Sequence, residues 1–332
     1  MTSKIKIFLF SLCMVGIISS CSTEKNPDQE TLEVTIQAAI EATNSAQDEV
    51  DKLISESVSA TLTAIPAPTP IAVDQMSEED LAVALEQSTS EAVSSADETI
   101  QYTNSALDDG ELTQTEIDEL YYLYYWSIEE LEQALYLVDL YYDLYDDLLE
   151  AVIMDLESIE NELQTILSAT EDALLYLEEI MGLISSGELL VQEKIDQFEE
   201  FSNLILEAST NVTSQLPNWI QSRKDEIDRI ANIAISSSPV DIANTKPGAV
   251  LIAKQYLDEI KLAIGDGKFS TLELQSISQL GANAAASLGQ FGGEFSNYSN
   301  MINGITESFA RGQLPQINAG IGTLQNGIQS IR

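Results

Sequence analysis

The most regular pattern of apolar and polar positions in the chain runs from Thr113 to Ser185. An apolar residue recurs there every three or four positions, no proline interrupts the run, and no glycine comes before Gly182. This spacing is typical of a helix with a heptad seam. Since about 70 residues at about 1.5 Å each would reach about 105 Å, we expect either one very long helix or two stacked helices.

The apolar positions of this run change character near Tyr145-Asp146-Asp147. They are largely aromatic before this point and aliphatic after it. We therefore favour a bend here, which would fold the run into two antiparallel helices and bring its tyrosines to one end of a bundle.

Proline, glycine and serine clusters divide the rest of the chain. The run from Pro66 to Pro70 ends one helix because proline lacks the amide donor, and Ser77 restarts the next as a capping residue. We expect a later helix to break or kink near Pro217. The predicted parts are a signal peptide (1–20), a tether (21–30), a helix (31–65), a proline-rich linker (66–76), an acidic bundle of long helices (77–236), an irregular loop (237–248) and a glycine- and alanine-rich helical part packing on the bundle (249–332).

A corner motif occurs twice, from Asp109 to Glu116 and from Asp266 to Glu273. In each copy an apolar residue lies two positions after a glycine, and Thr or Ser follows with Glu three positions beyond. This order predicts a helix end followed by a capping box. The corners also resemble the second half of an EF-hand calcium loop, which would make Asp109, Glu116, Asp266 and Glu273 ligands. The first half of that loop is missing, so we expect capping, with divalent cations as a weak alternative.

The last sixty or so residues carry few acids and many glycines. Each glycine inside a helix costs up to about 1 kcal/mol relative to alanine, so a compensating interaction is expected. The ordinary compensation is close approach of two helices. The alternative is a membrane-active segment, as in helical pore-forming toxins. The glycines concerned are Gly281, Gly289, Gly292, Gly293 and Gly304.

The start of the chain has the features of an export signal. Lys4 and Lys6 precede an apolar run that ends in Ile18-Ser19-Ser20-Cys21. This ending resembles the lipobox of bacterial lipoproteins, whose cysteine becomes the lipidated first residue of the mature chain. The resemblance implies lipidation at Cys21 and an anchor in the cell membrane or outer membrane, facing the extracytoplasmic side. The alternative is an ordinary signal peptide or an uncleaved anchor with a chance cysteine.

The charge of the chain restricts its partners. The formal net charge is −41, and after removal of Lys4 and Lys6 only 12 basic residues would face 55 acidic ones. Such a field repels nucleic acid, which argues against a nucleic-acid partner. It would attract divalent cations, cationic peptides or basic proteins, although we favour the simpler explanation of a solvated acidic face that keeps an exported protein soluble.

The residue types present argue against catalysis. The chain has no histidine, which removes histidine-based acid–base catalysis and most zinc and haem sites. Of its two cysteines, Cys13 lies in the signal peptide and Cys21 would carry lipid. We therefore predict a non-enzymatic protein without a cofactor.

Most of the tyrosines fall in one short span, on more than one helical face. One interpretation is a helix buried on several sides at the centre of a bundle. The other is a binding face for a cationic or sugar-like ligand, in which the aromatic rings act with nearby acids. The candidate residues are Tyr121, Tyr122, Tyr124, Tyr125, Trp126, Tyr141, Tyr142 and Tyr145.

Together these patterns predict an all-α protein, an elongated antiparallel bundle or coiled coil of long helices. We expect a lipid-anchored envelope protein that acts as a rod or scaffold and contacts other envelope proteins. The alternatives are capture of a cationic or glycan ligand at the tyrosine- and acid-rich helix, and membrane activity of the C-terminal part.

Overall fold

The computed structural model of the chain describes residues 76–107, 112–185 and 192–330, without the side chains of residues 184–185 and 192–195. Contacts between Cα atoms divide the chain into two compact units, 1–71 and 72–332. All described residues belong to the second unit. The predictions for the signal peptide, Cys21, the tether, the helix 31–65 and Asp109 lie outside the described residues.

The described part of the chain is built of eight helices, and no strand occurs in it. This confirms the predicted all-α class and the elongated antiparallel bundle of long helices. In chain order the helices are α1 (Glu78–Leu107), α2 (Gln114–Tyr145), α3 (Glu150–Ser185), α4 (Gln192–Ile235), α5 (Lys246–Ala263), α6 (Thr271–Gly289), α7 (Glu294–Ala310) and α8 (Leu314–Ser330).

The run from Thr113 to Ser185 is two helices, α2 and α3, which pack against each other. The turn between them covers residues 146–149, where the change from aromatic to aliphatic positions predicted a bend. The alternative of a single helix of about 105 Å is therefore wrong. The helices span about 48 Å and 54 Å at about 1.5 Å per residue. Folding back lets each apolar seam bury against the other.

The eight described helices form two rings of four, and helix α4 of the first ring also contacts the second ring. In the first ring α1 contacts α2, α2 contacts α3, α3 contacts α4, and α4 contacts α1. In the second, α5, α6, α7 and α8 contact one another in the same cyclic order, and α6 and α7 also contact α4. One cluster of buried apolar side chains is continuous between the rings, and a separate cluster fills the end of the first ring around Tyr124 and Phe198.

Both predicted capping boxes are present. The Thr113 hydroxyl accepts from the Glu116 amide at 3.3 Å, and the Glu116 carboxylate accepts from the Thr113 amide at 2.8 Å. Ser270 and Glu273 repeat the arrangement, with both bonds at 3.2 Å. These caps satisfy amide groups that the first turn of a helix leaves free, so they mark where α2 and α6 begin.

Helix α4 continues through Pro217, so of the predicted break or kink the break is wrong and the kink stays a prediction. A proline inside a helix costs about 3 kcal/mol through the lost hydrogen bond and the ring clash. On either side of it Leu216 and Trp219 are buried, and α4 packs against α1 and α3. This burial offsets the local cost, which sequence pattern alone does not register.

Close helix approach explains some of the C-terminal glycines. A Cβ atom at Gly281 would lie 2.6 Å from the Thr306 hydroxyl of α7, and one at Gly320 would lie 2.5 Å from Ile305. Gly292 and Gly293 instead have positive φ angles in the turn before α7. Gly304 has no neighbour within 4 Å of a Cβ position, so close approach does not explain it.

None of the described helices is both long enough and apolar enough to cross a membrane.

Candidate functional site

The structure distributes the candidate tyrosines over different environments along α2. Tyr124, Tyr141 and Tyr145 are buried in the core. Tyr121, Tyr122 and Tyr125 are exposed, and Trp126 and Tyr142 are half-buried. The eight residues therefore do not share one face. They also occupy both ends of α2, so the turn does not gather them at one end of the bundle.

A buried ion pair lies where the two rings meet. The Arg223 guanidinium of α4 donates from NH1 to Glu78 Oε2 at 2.5 Å, and the Tyr141 hydroxyl donates to Glu78 Oε1 at 2.6 Å. Both charged side chains are no more than 3% exposed. Burial raises the pKa of the Glu78 carboxyl, and the guanidinium only partly offsets this effect. The pair therefore joins α1, α2 and α4 within the core.

Aromatic rings extend from this ion pair into the second ring of helices. The Tyr141 ring meets Trp219 edge-on at 5.4 Å between centroids, and Tyr145 stacks on Phe269 at 5.3 Å. Phe269 in turn lies 5.1 Å from Phe309. These buried tyrosines are thus structural, and their position fits the interpretation of a helix buried on several sides.

The exposed tyrosines form a continuous strip with acids on the outer side of α2. Tyr122 and Tyr136 are 51% and 58% exposed, and Tyr121 and Tyr125 are 36% and 37% exposed. Positions three and four apart fall on the same side of a helix, so the strip extends along the helix. We call it the α2 outer face; its residues are Asp118, Tyr121, Tyr122, Tyr125, Glu129, Glu132, Tyr136, Asp139 and Asp143.

Hydrogen bonds between aromatic and acidic side chains occur on this face and beside it. Tyr125 donates to Glu129, and this bond, with the charge of Glu129, raises the pKa of the Tyr125 hydroxyl. Beside the face, the Tyr102 hydroxyl of α1 donates to Glu119. These bonds hold phenol rings and carboxylates side by side, in an arrangement that can present an aromatic surface and negative charge together.

The surroundings of the α2 outer face contain almost no positive charge. Helices α1, α2 and α3 carry 24 acidic side chains and no basic one. The sequence shows this directly, since no basic residue occurs between Lys52 and Lys194. At the turn end of the face, Lys268 approaches Asp143 at 3.6 Å. No basic side chain of α1, α2 or α3 neutralises the rest of the face.

The candidate metal ligands serve other roles in the described structure. Glu116 and Glu273 close the two capping boxes, and hydrogen bonds from Thr113 lower the pKa of the Glu116 carboxyl. Asp266 accepts from the Lys268 amide at 3.0 Å. Within the described ranges no group of three or more metal-ligating side chains is placed to hold an ion. The capping interpretation accounts for both glutamates.

Sequence reasoning predicted part of this site. Nothing in the sequence pointed to Glu78 as the partner of Arg223, 145 positions away. Sequence reasoning also left Tyr136 out of the candidate face, although the spacing from Tyr122, Tyr125 and Glu129 places Tyr136 on the same side of α2.

Comparison with known proteins identifies no relative of the chain. No family model matches the chain, and neither do the curated proteins or the solved structures with which it was compared.

Proposed function

We propose that this protein is a non-enzymatic, lipid-anchored scaffold of the cell envelope whose α2 outer face binds a partner protein through basic side chains. The observation that carries the binding part is the strip of exposed tyrosines and acids on α2. The anchoring part rests on the resemblance of residues 18–21 to a lipobox.

The chemistry of the face favours a cationic partner. A lysine ammonium or arginine guanidinium over a tyrosine ring gains about 0.5–1 kcal/mol at an exposed site, and adjacent carboxylates add direct attraction. Tyrosine is also among the residues that contribute most to binding at interfaces. Because α1, α2 and α3 carry no basic residue, the cationic groups of a partner meet no competing side chain from these helices.

Crosslinking in the native cell tests the proposal. A photo-reactive phenylalanine analogue would replace Tyr122 or Tyr136, and the matched control would replace Leu175 of α3, which is 63% exposed. We expect a distinct crosslinked partner with a basic surface at positions 122 and 136 and none at 175. The same products at all three positions, or none at 122 and 136, would contradict the proposal.

A glycan ligand is the second candidate, because exposed tyrosine rings also stack on sugars. Calorimetry with pentalysine and with neutral oligosaccharides separates the two. Binding of pentalysine that weakens with added salt supports the basic partner, since charge attraction is screened. Heat from oligosaccharides alone, without dependence on salt, supports the glycan. Membrane activity of the C-terminal part stays a prediction that dye release from liposomes tests.

A further inference from the structure

Two neighbouring cavities lie between the C-terminal end of α4 and helices α6 and α7. Their volumes are about 430 Å³ and about 450 Å³, each within the range of small-molecule sites. Ala234, Ser237 and Ser278 line both. The two spaces therefore adjoin along one cleft, far along the chain from the α2 outer face.

The loop after α4 is fixed beside this cleft by side chains of α6. The Asn283 side-chain oxygen accepts from the amides of Val240 and Asp241 at 2.8 Å and 3.2 Å. The Gln279 amide donates to the Ser238 carbonyl at 3.0 Å. Ser237 and Pro239 of this loop line the second cavity. The wall that the loop forms is thus held in place by side chains of α6.

The two cavities differ in chemistry. The first is lined by the aliphatic side chains of Leu148, Ile230, Ile233 and Leu274, together with two glutamines, a threonine and two serines. The second is lined by alanines and a glycine, together with hydroxyl and amide groups from Ser237, Ser299, Asn303 and Thr306. The cleft thus offers an apolar compartment beside a small-residue, hydroxylated one.

Charge is nearly absent from the lining, in contrast to the rest of the protein. Arg229 is the one charged residue that lines either described cavity. Its guanidinium makes two bonds to Glu226, from Nε at 2.7 Å and from NH2 at 2.5 Å. With that charge already paired, the cleft has no free ionic group to hold a charged ligand.

A buried hydroxyl without a partner lies where the compartments meet. Ser278 is 5% exposed, and its Oγ atom has no hydrogen-bond partner in the described structure. Leaving such a group unsatisfied costs about 1–3 kcal/mol. The neighbouring Thr306 hydroxyl, by contrast, donates to the Ile302 carbonyl at 2.9 Å. The Oγ atom is covered in this conformation, so rotation of the Ser278 side chain is what would bring it to a molecule in the cleft.

We infer that this cleft binds an uncharged, single-chain amphiphile. The aliphatic chain lies among Ile230, Ile233 and Leu274, and the hydroxylated head lies in the small-residue compartment with a hydrogen bond to Ser278. This site is independent of the α2 outer face, so failure of one proposal leaves the other standing.

Calorimetry on the full chain with 1-monooctanoylglycerol, below the concentration at which it forms micelles, tests the inference. We expect one molecule bound per chain. Octanoate should bind at least about tenfold more weakly because the one cation of the lining, Arg229, is already paired with Glu226, and glycerol because it lacks the aliphatic chain. No binding of monooctanoylglycerol, or equal binding of octanoate, would overturn the inference.

Substitutions locate the bound molecule. Ser278→Ala should weaken binding about 3- to 10-fold through the lost hydrogen bond. Ala282→Leu, which fills the hydroxylated compartment from a half-buried position, should weaken it about tenfold or more. The matched control is Ser276→Ala on the same helix, whose hydroxyl bonds Glu259 outside the cleft. Circular dichroism confirms folding of each variant, and equal effects of Ser278→Ala and Ser276→Ala would place the molecule elsewhere.

Discussion

The two rings of helices reach stable packing by different means. Helices α1–α4 are 30 to 44 residues long, and α2 buries large side chains such as Leu120, Tyr124 and Leu131 along one side. Helices α5–α8 are 17 to 19 residues long. Residues 246–330 hold 12 of the 16 glycines of the chain, so backbones can approach each other directly there.

Their charges differ as much as their packing. Residues 236–330 carry 5 basic and 7 acidic side chains, against none and 24 in α1–α3. Mutual repulsion in the acidic ring must be offset by its buried seam, since compactness concentrates like charges. The comparison teaches that the acidic ring is the part sensitive to charge and pH, whereas the glycine-rich ring is the part sensitive to added volume.

The largest expected effect comes from breaking the buried ion pair between α1 and α4. Arg223→Met would leave Glu78 buried without its cation and should lower the free energy of unfolding by about 3–5 kcal/mol, measured by urea denaturation. The double variant Glu78→Leu/Arg223→Met should recover most of the loss, because it removes both charges. Arg229→Met, at an exposed pair, should cost less than about 1 kcal/mol. A loss of less than about 1 kcal/mol for Arg223→Met as well would contradict the prediction that the buried pair contributes more to stability than the exposed one.

Added volume should separate two glycines of the second ring. Gly281→Ala places a Cβ atom 2.6 Å from the Thr306 hydroxyl and should destabilise the protein by about 1–3 kcal/mol. Gly304→Ala meets nothing within 4 Å inside helix α7 and should stabilise it by about 0.5–1 kcal/mol. Thermal unfolding of the two variants gives the sign of each change. Equal signs would show that close approach does not explain Gly281.

Mild acidification should stabilise the protein through its first ring. Burial raises the pKa values of Glu78, Asp97 and Glu130, so the folded state binds protons more tightly than the unfolded state. The stability that these three carboxyl groups contribute is then greatest at low pH, and it is lost as the pH rises through their raised pKa values. We expect a higher urea midpoint at pH 5 than at pH 7. Asp97→Asn with Glu130→Gln should reduce this difference, and an unchanged difference would contradict the assignment.

Glu116 does not disturb this test. Its pKa is lowered, so the stability that it contributes is lost only below the ordinary value of 4.5, outside the range from pH 7 to pH 5.

The smallest effect on stability is expected at the α2 outer face. Tyr122→Ser with Tyr136→Ser should change the free energy of unfolding by no more than about 0.5 kcal/mol, because both side chains are exposed. The same double variant should lose measurable affinity for pentalysine in calorimetry. Leu175→Ser on α3 is the matched control for an exposed residue. Unchanged affinity in the double variant would remove the α2 outer face as the binding surface.

The sequence predicted features that depend on neighbours along the chain. The helical class and the apolar seam follow from spacing at three and four positions, and the caps at Thr113 and Ser270 follow from a Glu three positions later. The bend near Asp146 followed from a change of side-chain type. All these interactions span one or two helical turns, so their partners can be read directly.

Only the tertiary structure decided which residues meet across helices. It placed Tyr124 inside and Tyr122 outside, tolerated Pro217 within α4, and paired Glu78 with a residue 145 positions away. The physical reason is that burial and long-range pairing depend on how whole helices are arranged, and many arrangements share the same local pattern. Sequence alone thus determined the helices, their ends and the acidity of the chain, whereas tertiary packing decided which tyrosines became a surface and which became core.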